Sequence, residues 1–304
     1  MREVMFSGSL VALVTPMLDD GAIDIQAWER LLEMHLRAGT AAVVVGGSTG
    51  ESVTLTDAEC DQLVALAQRR CAGRMGVIVG VGGSSTAAVV QRARSLGGTG
   101  VDALLVATPP YNCPTQEGLY RHFAAIAAAA AAPVLLYNVP SRAGVDLLPA
   151  TVARLAELPR VVGLKEAVGK IERIRELLNA VPSGFTILSG DDATACEAVL
   201  AGARGVISVT ANLLPVEVTA IMAAALRGER ELACRLDAPL ASLHRELSLE
   251  PNPIPVKWAL FDMNVINPGI RLPLTWLSAA AQPRVRRALH AAQPAALQSR
   301  ARSA

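Results

Sequence analysis

From its beginning to about residue 210 the chain alternates short apolar runs with longer helix-patterned stretches. The runs are Leu10-Val14, Ala42-Val45, Val77-Val79, Ala103-Val106, Val134-Tyr137, Val161-Leu164, Thr186-Leu188 and Gly205-Ser208, eight in all. A strand that must cross a helix before the next strand pairs parallel to its predecessor, so this alternation implies a parallel sheet clothed in helices. Eight units in about 210 residues match an α/β fold of the (β/α)8 TIM-barrel type, whose functional groups collect where strand C-termini meet their loops. A doubly wound sheet would need a glycine-rich phosphate turn after the first strand. Thr15-Pro16-Met17-Leu18-Asp19 supplies none.

Helix starts are legible between the runs. Asp24 precedes Ile25, Thr56 with Glu59 spells a capping box, and Ser84 or Ser85 precedes Thr86. The alanine-rich stretch Ala124-Ala132 reads as a packed helix that Pro133 ends. Residues 1–210 are thus expected to form the barrel. Beyond them strand signals stop, and apolar periodicity punctuated by Pro215, Pro251, Pro253, Pro255 and Pro283 predicts a C-terminal helical extension over 211–292. Residues 293–304 are expected to be a flexible tail.

With 304 residues, 52% of them hydrophobic, the chain can bury a large core. Its net charge is +1 and its arginines are scattered, which favours a small-molecule ligand over nucleic acid or an anionic membrane. The five cysteines (60, 71, 113, 196, 234) form no C-x-x-C pair and fit free thiols in a reducing compartment. Pro16 closes the first apolar run too early for a signal-peptide core, and a cytoplasmic location is expected.

Lysine is rare here: three of 28 basic residues, at positions 165, 170 and 257. Arginine can meet most needs for charge but cannot supply a neutral amine near pH 7. Lys165 ends the buried-strand run Val161-Leu164, where an ammonium is costly to desolvate. Two readings stand equal on these residues: an amine nucleophile, or a buried cation paired with Glu166 or Asp191. The other expected strand ends carry Thr15, Ser48, Thr49, Tyr111, Tyr137, Ser189, Asp191 and Ser208. Two of the chain's three tyrosines are among them, phenols able to donate and accept a proton.

Gly46-Gly47-Ser48-Thr49-Gly50 can bind a carboxylate through its backbone N–H groups, and it also spells G-x-S-x-G, the serine-hydrolase elbow. Against a hydrolase, no helix pattern follows directly. The four histidines (35, 122, 244, 290) lack metal-ligand spacing, so no metal is expected, and His35 and His122 read as helix-surface residues.

A family resemblance rests on Gly47-Ser48-Thr49-Gly50-Glu51-Ser52, Tyr111-Asn112, Tyr137-Asn138-Val139-Pro140-Ser141-Arg142-Ala143-Gly144, Gly163-Leu164-Lys165-Glu166-Ala167, Ser189-Gly190-Asp191-Asp192 and the run Glu250 to Lys257. In this order, the chain resembles the dihydrodipicolinate synthase family, also called 4-hydroxy-tetrahydrodipicolinate synthases, among the pyruvate-dependent class I aldolases. The resemblance implies that Lys165 forms an imine with pyruvate, whose enamine adds to aspartate semialdehyde, with no cofactor. It implies a proton relay of Tyr137, Ser48 and Tyr111. Thr49 and the backbone at Ile207 would hold pyruvate, and Arg142 the semialdehyde carboxylate. Tyr111 would complete a neighbouring subunit's relay, which implies a homo-oligomer, a tetramer built as a dimer of dimers. Related sugar-acid aldolases usually differ at Pro140-Ser141-Arg142.

The chain departs from the pattern in places. Ser48 stands where the family usually has threonine, and Pro110 where many members have a second tyrosine. Members inhibited by lysine often carry histidine, asparagine and glutamate where this chain has Asp57 or Cys60, Ser84 and Ala88. Weak or absent inhibition by lysine is therefore expected.

Overall fold

The structure, a computed structural model, describes residues 6–293. The tail expected over 293–304 lies, apart from Gln293, outside the described residues. Eight strands, β1 (Gly8–Ala12), β2 (Ala42–Val45), β3 (Gly76–Val81), β4 (Ala103–Ala107), β5 (Val134–Asn138), β6 (Val161–Glu166), β7 (Thr186–Ser189) and β8 (Gly205–Ser208), form a closed barrel in sequence order. Every neighbouring pair is parallel, including the closing pair of β8 with β1, where Leu10 lies opposite Ile207. The expected strands are those observed, with ends shifted by up to two residues. The first run shifts most: its strand ends at Ala12, and Leu13 and Val14 continue into the loop.

Period-two alternation sorts the strand side chains into two cores. Leu10, Ala42, Val44, Ile78, Ala103, Leu105, Leu135, Tyr137, Leu188 and Ile207 fill the barrel, whereas Val11, Val43, Val79, Leu104, Leu136, Leu164 and Val206 face the helices. The predicted caps form. Asp24 accepts from the Ala27 N–H at 2.9 Å, Ser85 from Ala88 at 3.4 Å, and Thr56 with Glu59 makes the full capping box. The alanine-rich helix runs from Gln116 to Ala129, stopping before Pro133.

Residue 210 marks the end of the strands and not of the ring of helices: Pro215–Leu226 packs against β1, β8 and the helix Ile25–Ala38. Beyond it come the helices Arg230–Asp237, Ala241–Glu246, Ile254–Asp262 and Gln282–Ala292. No helix among the described residues is long and apolar enough to cross a membrane.

The surface reading of His35 and His122 is corrected. Both are buried, with Nδ1 of His35 2.9 Å from Thr40 Oγ1 and Nδ1 of His122 2.8 Å from Thr86 Oγ1. A threonine hydroxyl satisfies one ring nitrogen, so each imidazole can pack in an apolar interior as the neutral form. Burial pushes the His35 pKa down to about 3.

Candidate active site

Lys165 and Tyr137 are directly opposite one another on β6 and β5. Cross-strand register therefore puts both into the C-terminal end of the barrel, and Nζ of Lys165 lies 4.3 Å from the centroid of the Tyr137 ring. Lys165 is 5% exposed, yet among the described residues it makes no ion pair. The two carboxylates considered for it are occupied elsewhere. Glu166, next in the strand, points to the helix side and accepts from Asn138 Nδ2 at 3.1 Å. Asp191 caps the helix Asp192–Leu200, accepting from Thr194 N–H at 3.1 Å and Thr194 Oγ1 at 2.6 Å.

Space for the lysine is made by Gly190. A Cβ there would sit 2.9 Å from Lys165 Cε and 2.8 Å from Ala167 Cβ, closer than carbon atoms pack.

The loop after β2 is clamped from three sides. Thr15 Oγ1 donates to Gly50 O at 2.7 Å, and Gly80 of β3 lets the loop lie flat, since a Cβ there would be 2.2 Å from Gly46 O. The third clamp is an ion pair between Lys257 and Glu51, whose side chains have no solvent exposure. Lys257 comes from the helix Ile254–Asp262, so the extension reaches into the barrel mouth. Burial lowers the Lys257 pKa, and Glu51 opposes that shift by holding its charge. Of the two buried lysines, it is Lys257 that is the paired cation.

Asn252 ties the remaining polar groups together. Its Nδ2 donates to Thr49 Oγ1 at 2.9 Å, and its carbonyl accepts from Arg142 at 2.7 Å. Thr49 is buried, Ser48 half-buried, and Ile207 lies 1% exposed in the barrel core on β8. Ser208 is spent locally, its Oγ accepting from Ala211 N–H at 2.8 Å.

Tyr111 is not brought to Lys165 within the chain. It is 93% exposed at φ +73°, between Pro110, whose carbonyl accepts from Ser84 Oγ at 2.8 Å, and Asn112, whose Nδ2 donates to Ser84 O at 2.8 Å. The hydrolase alternative at Ser48 finds no support in the loop after β2. A short 3-10 turn, Ser52–Thr54, follows it and the helix starts only at Asp57, so there is no strand–turn–helix elbow.

Sequence reasoning quoted Gly190, Asn252 and Lys257 among the family-matching stretches but assigned none of them a role. The rarity of lysine flagged Lys257 as strongly as Lys165, but rarity cannot say which amine has a carboxylate beside it.

Comparison with known proteins gives one answer. The model of the dihydrodipicolinate synthetase family matches residues 5–292. A protein of Methylococcus capsulatus named 4-hydroxy-tetrahydrodipicolinate synthase is 50% identical over 288 residues, covering 95% of this chain and 99% of the relative. One of Alcanivorax borkumensis with the same name is 50% identical over 282 residues, covering 93% and 96%. Among solved structures, the chloride-inhibited dihydrodipicolinate synthase of Acinetobacter baumannii, complexed with pyruvate, is 45% identical with a TM-score of 0.92, covering 94% of this chain and 98% of that one.

Proposed function

The chain belongs to the dihydrodipicolinate synthetase family, and from that premise we propose that it catalyses the 4-hydroxy-tetrahydrodipicolinate synthase reaction, a lyase condensing pyruvate with L-aspartate 4-semialdehyde. The carrying observation is Lys165: a buried amine with no carboxylate partner among the described residues, set against Tyr137 in space cleared by Gly190.

The free amine attacks C2 of pyruvate, and loss of water gives a protonated imine. That cation is an electron sink, so the pyruvate methyl gives up a proton and becomes a nucleophilic enamine. The enamine adds to the semialdehyde carbon, and the incoming substrate's own amine then attacks the imine carbon, closing the ring and releasing Lys165. Each step moves a proton, which is the task proposed for Tyr137 with Ser48 and, from a neighbouring subunit, Tyr111. The exposure of Tyr111 suits a residue that completes another copy's site, in a homo-oligomer assembled as a dimer of dimers.

Thr49 and the backbone at Ile207 are proposed to hold pyruvate, and Arg142 the semialdehyde carboxylate as a planar fork. The chemistry needs no cofactor beyond the imine, and the substrates suit a cytoplasmic enzyme of lysine and diaminopimelate biosynthesis. Borohydride reduction in the presence of pyruvate, followed by peptide mass analysis, tests the reading. A reduced pyruvate adduct is expected on Lys165, and its absence there would overturn the mechanism.

A further inference from the structure

The mechanism uses the faces of β5 and β6 that look into the barrel. Behind them, on the helix side, lies a polar cluster the reaction does not touch. Asn138 follows Tyr137, Glu166 follows Lys165, and these two are also paired in register. Asn138 has no solvent exposure and Glu166 2%.

Every polar atom of the Asn138 amide is engaged. Nδ2 donates to Asp146 Oδ1 at 2.7 Å and to both Glu166 oxygens at 3.1 Å, and Oδ1 accepts from Leu147 N–H at 3.0 Å. Glu166 also accepts from Val168 N–H at 3.0 Å. Arg173, from the helix Ile171–Ala180, grips Asp146 with two bonds of 2.7 and 3.1 Å and stands 3.7 Å from Glu166. The ends of β5 and β6 and the loop carrying Asp146 thus meet on one amide, and the helix carrying Arg173 joins them through the two carboxylates.

A fully buried Glu166 beside the partly exposed Asp146–Arg173 ion pair is costly to desolvate, and apolar residues would hold two strands together at lower cost. What the polar cluster adds is direction. Charge-assisted bonds tolerate little change in length or angle, so they fix the relative height and twist of two strand ends more tightly than apolar contact does. Those ends carry the lysine and the tyrosine.

We infer that Asn138, Glu166, Asp146 and Arg173 are positioning residues that set the Tyr137 phenol over the Lys165 amine from behind the sheet. The inference rests on the lysine–tyrosine reading of the site, but it can be tested without the reaction.

The chain has only three lysines, so a carbon–proton spectrum of protein labelled with 13C at lysine Cε contains three methylene signals. Ring current from Tyr137 displaces the Lys165 signal from that of exposed Lys170. In Asn138→Ala the displaced signal is expected to move towards that of Lys170. Arg173→Gln, which alters the rim of the cluster and leaves the strand residues in place, should move it part of the way.

In the same variants kcat is expected to fall roughly 10- to 100-fold, the scale of a displacement near 1 Å at a reacting group, while KM for pyruvate changes far less. A Lys165 signal that stays in place in folded Arg173→Gln would overturn the inference, even if melting temperature fell. If the parent failed to trap pyruvate, the reaction assignment would fall, and the lysine signal would still decide the positioning role.

Discussion

Lys257→Met is the sharpest test of how the extension holds the catalytic mouth. Methionine keeps the length and most of the volume of lysine, so packing is preserved while the ammonium is lost. Glu51 would retain, among the described residues, one hydrogen-bond donor, the backbone N–H of Arg271 at 3.2 Å. Both side chains of the pair are fully buried, so water cannot replace the lost partner. Removing one member of such a pair costs about 3–5 kcal/mol, because the other is left as an uncompensated buried charge. That corresponds to between roughly 10² and 10⁴ in the folding equilibrium. The double variant Glu51→Met/Lys257→Met removes both charges and should recover most of the loss, since apolar replacement of a whole buried pair is often neutral or stabilising. Urea denaturation of the parent, both single variants and the double variant at pH 7, followed by circular dichroism and tryptophan fluorescence, gives the four stabilities of the cycle. If the single variant stays within about 1 kcal/mol of the parent, or the double variant loses the sum of the two singles, the pair does not act as argued. Activity supplies a second reading: the loop carrying Ser48 and Thr49 loses a clamp, so KM for pyruvate should rise in the single variant.

Gly190→Ala should lower kcat by on the order of 10²-fold, because its methyl would occupy the place of Lys165 Cε and reorient the amine; steady-state kinetics with unchanged parameters would show that the lysine has room to spare. Glu166→Gln tests the buried cluster through pH. Burial raises the Glu166 pKa from the ordinary 4.5 to about 7, with Asn138, Val168 N–H and Arg173 opposing the shift. Between those values the folded state holds a proton that the unfolded state has released, so the contribution of Glu166 is most favourable below pH 4.5 and declines as pH rises to 7. The stability of the parent relative to Glu166→Gln should therefore drop by about 3 kcal/mol across that window, and parallel denaturation curves would contradict it. Lysine at physiological concentration should inhibit weakly or not at all, since Ala88 offers no carboxylate to an ammonium and Asp57 faces Arg92 at 3.4 Å; half-inhibition in a coupled rate assay would refute this.

The barrel was legible because its signals are local. Apolar runs of strand length, capping residues such as Asp24 and Thr56, and proline stops each report on a few neighbouring residues, and their repetition specifies eight units. The position of Lys165 near a strand end was legible for the same reason. Its freedom was not. In the sequence Glu166 is adjacent and Asp191 stands at the next expected strand end, and both are credible partners. Only the alternation of side chains across β6, and the cap that Asp191 makes with Thr194, take them away. His122 was misread for a related reason, because Thr86, the threonine that satisfies its buried imidazole, lies on another helix.

What the sequence determined by itself is the order of elements and the kinds of groups gathered at one end of a barrel. The tertiary structure decided which of those groups are spent on architecture and which are left for chemistry. Glu51 meets Lys257 across 206 residues, and Thr49 meets Asn252 across 203. Contacts of that span exist only after the barrel closes and the extension folds back over its mouth. Pattern along a chain reports what each segment buries, whereas the pairing of charges depends on distances between segments that only the closed fold fixes.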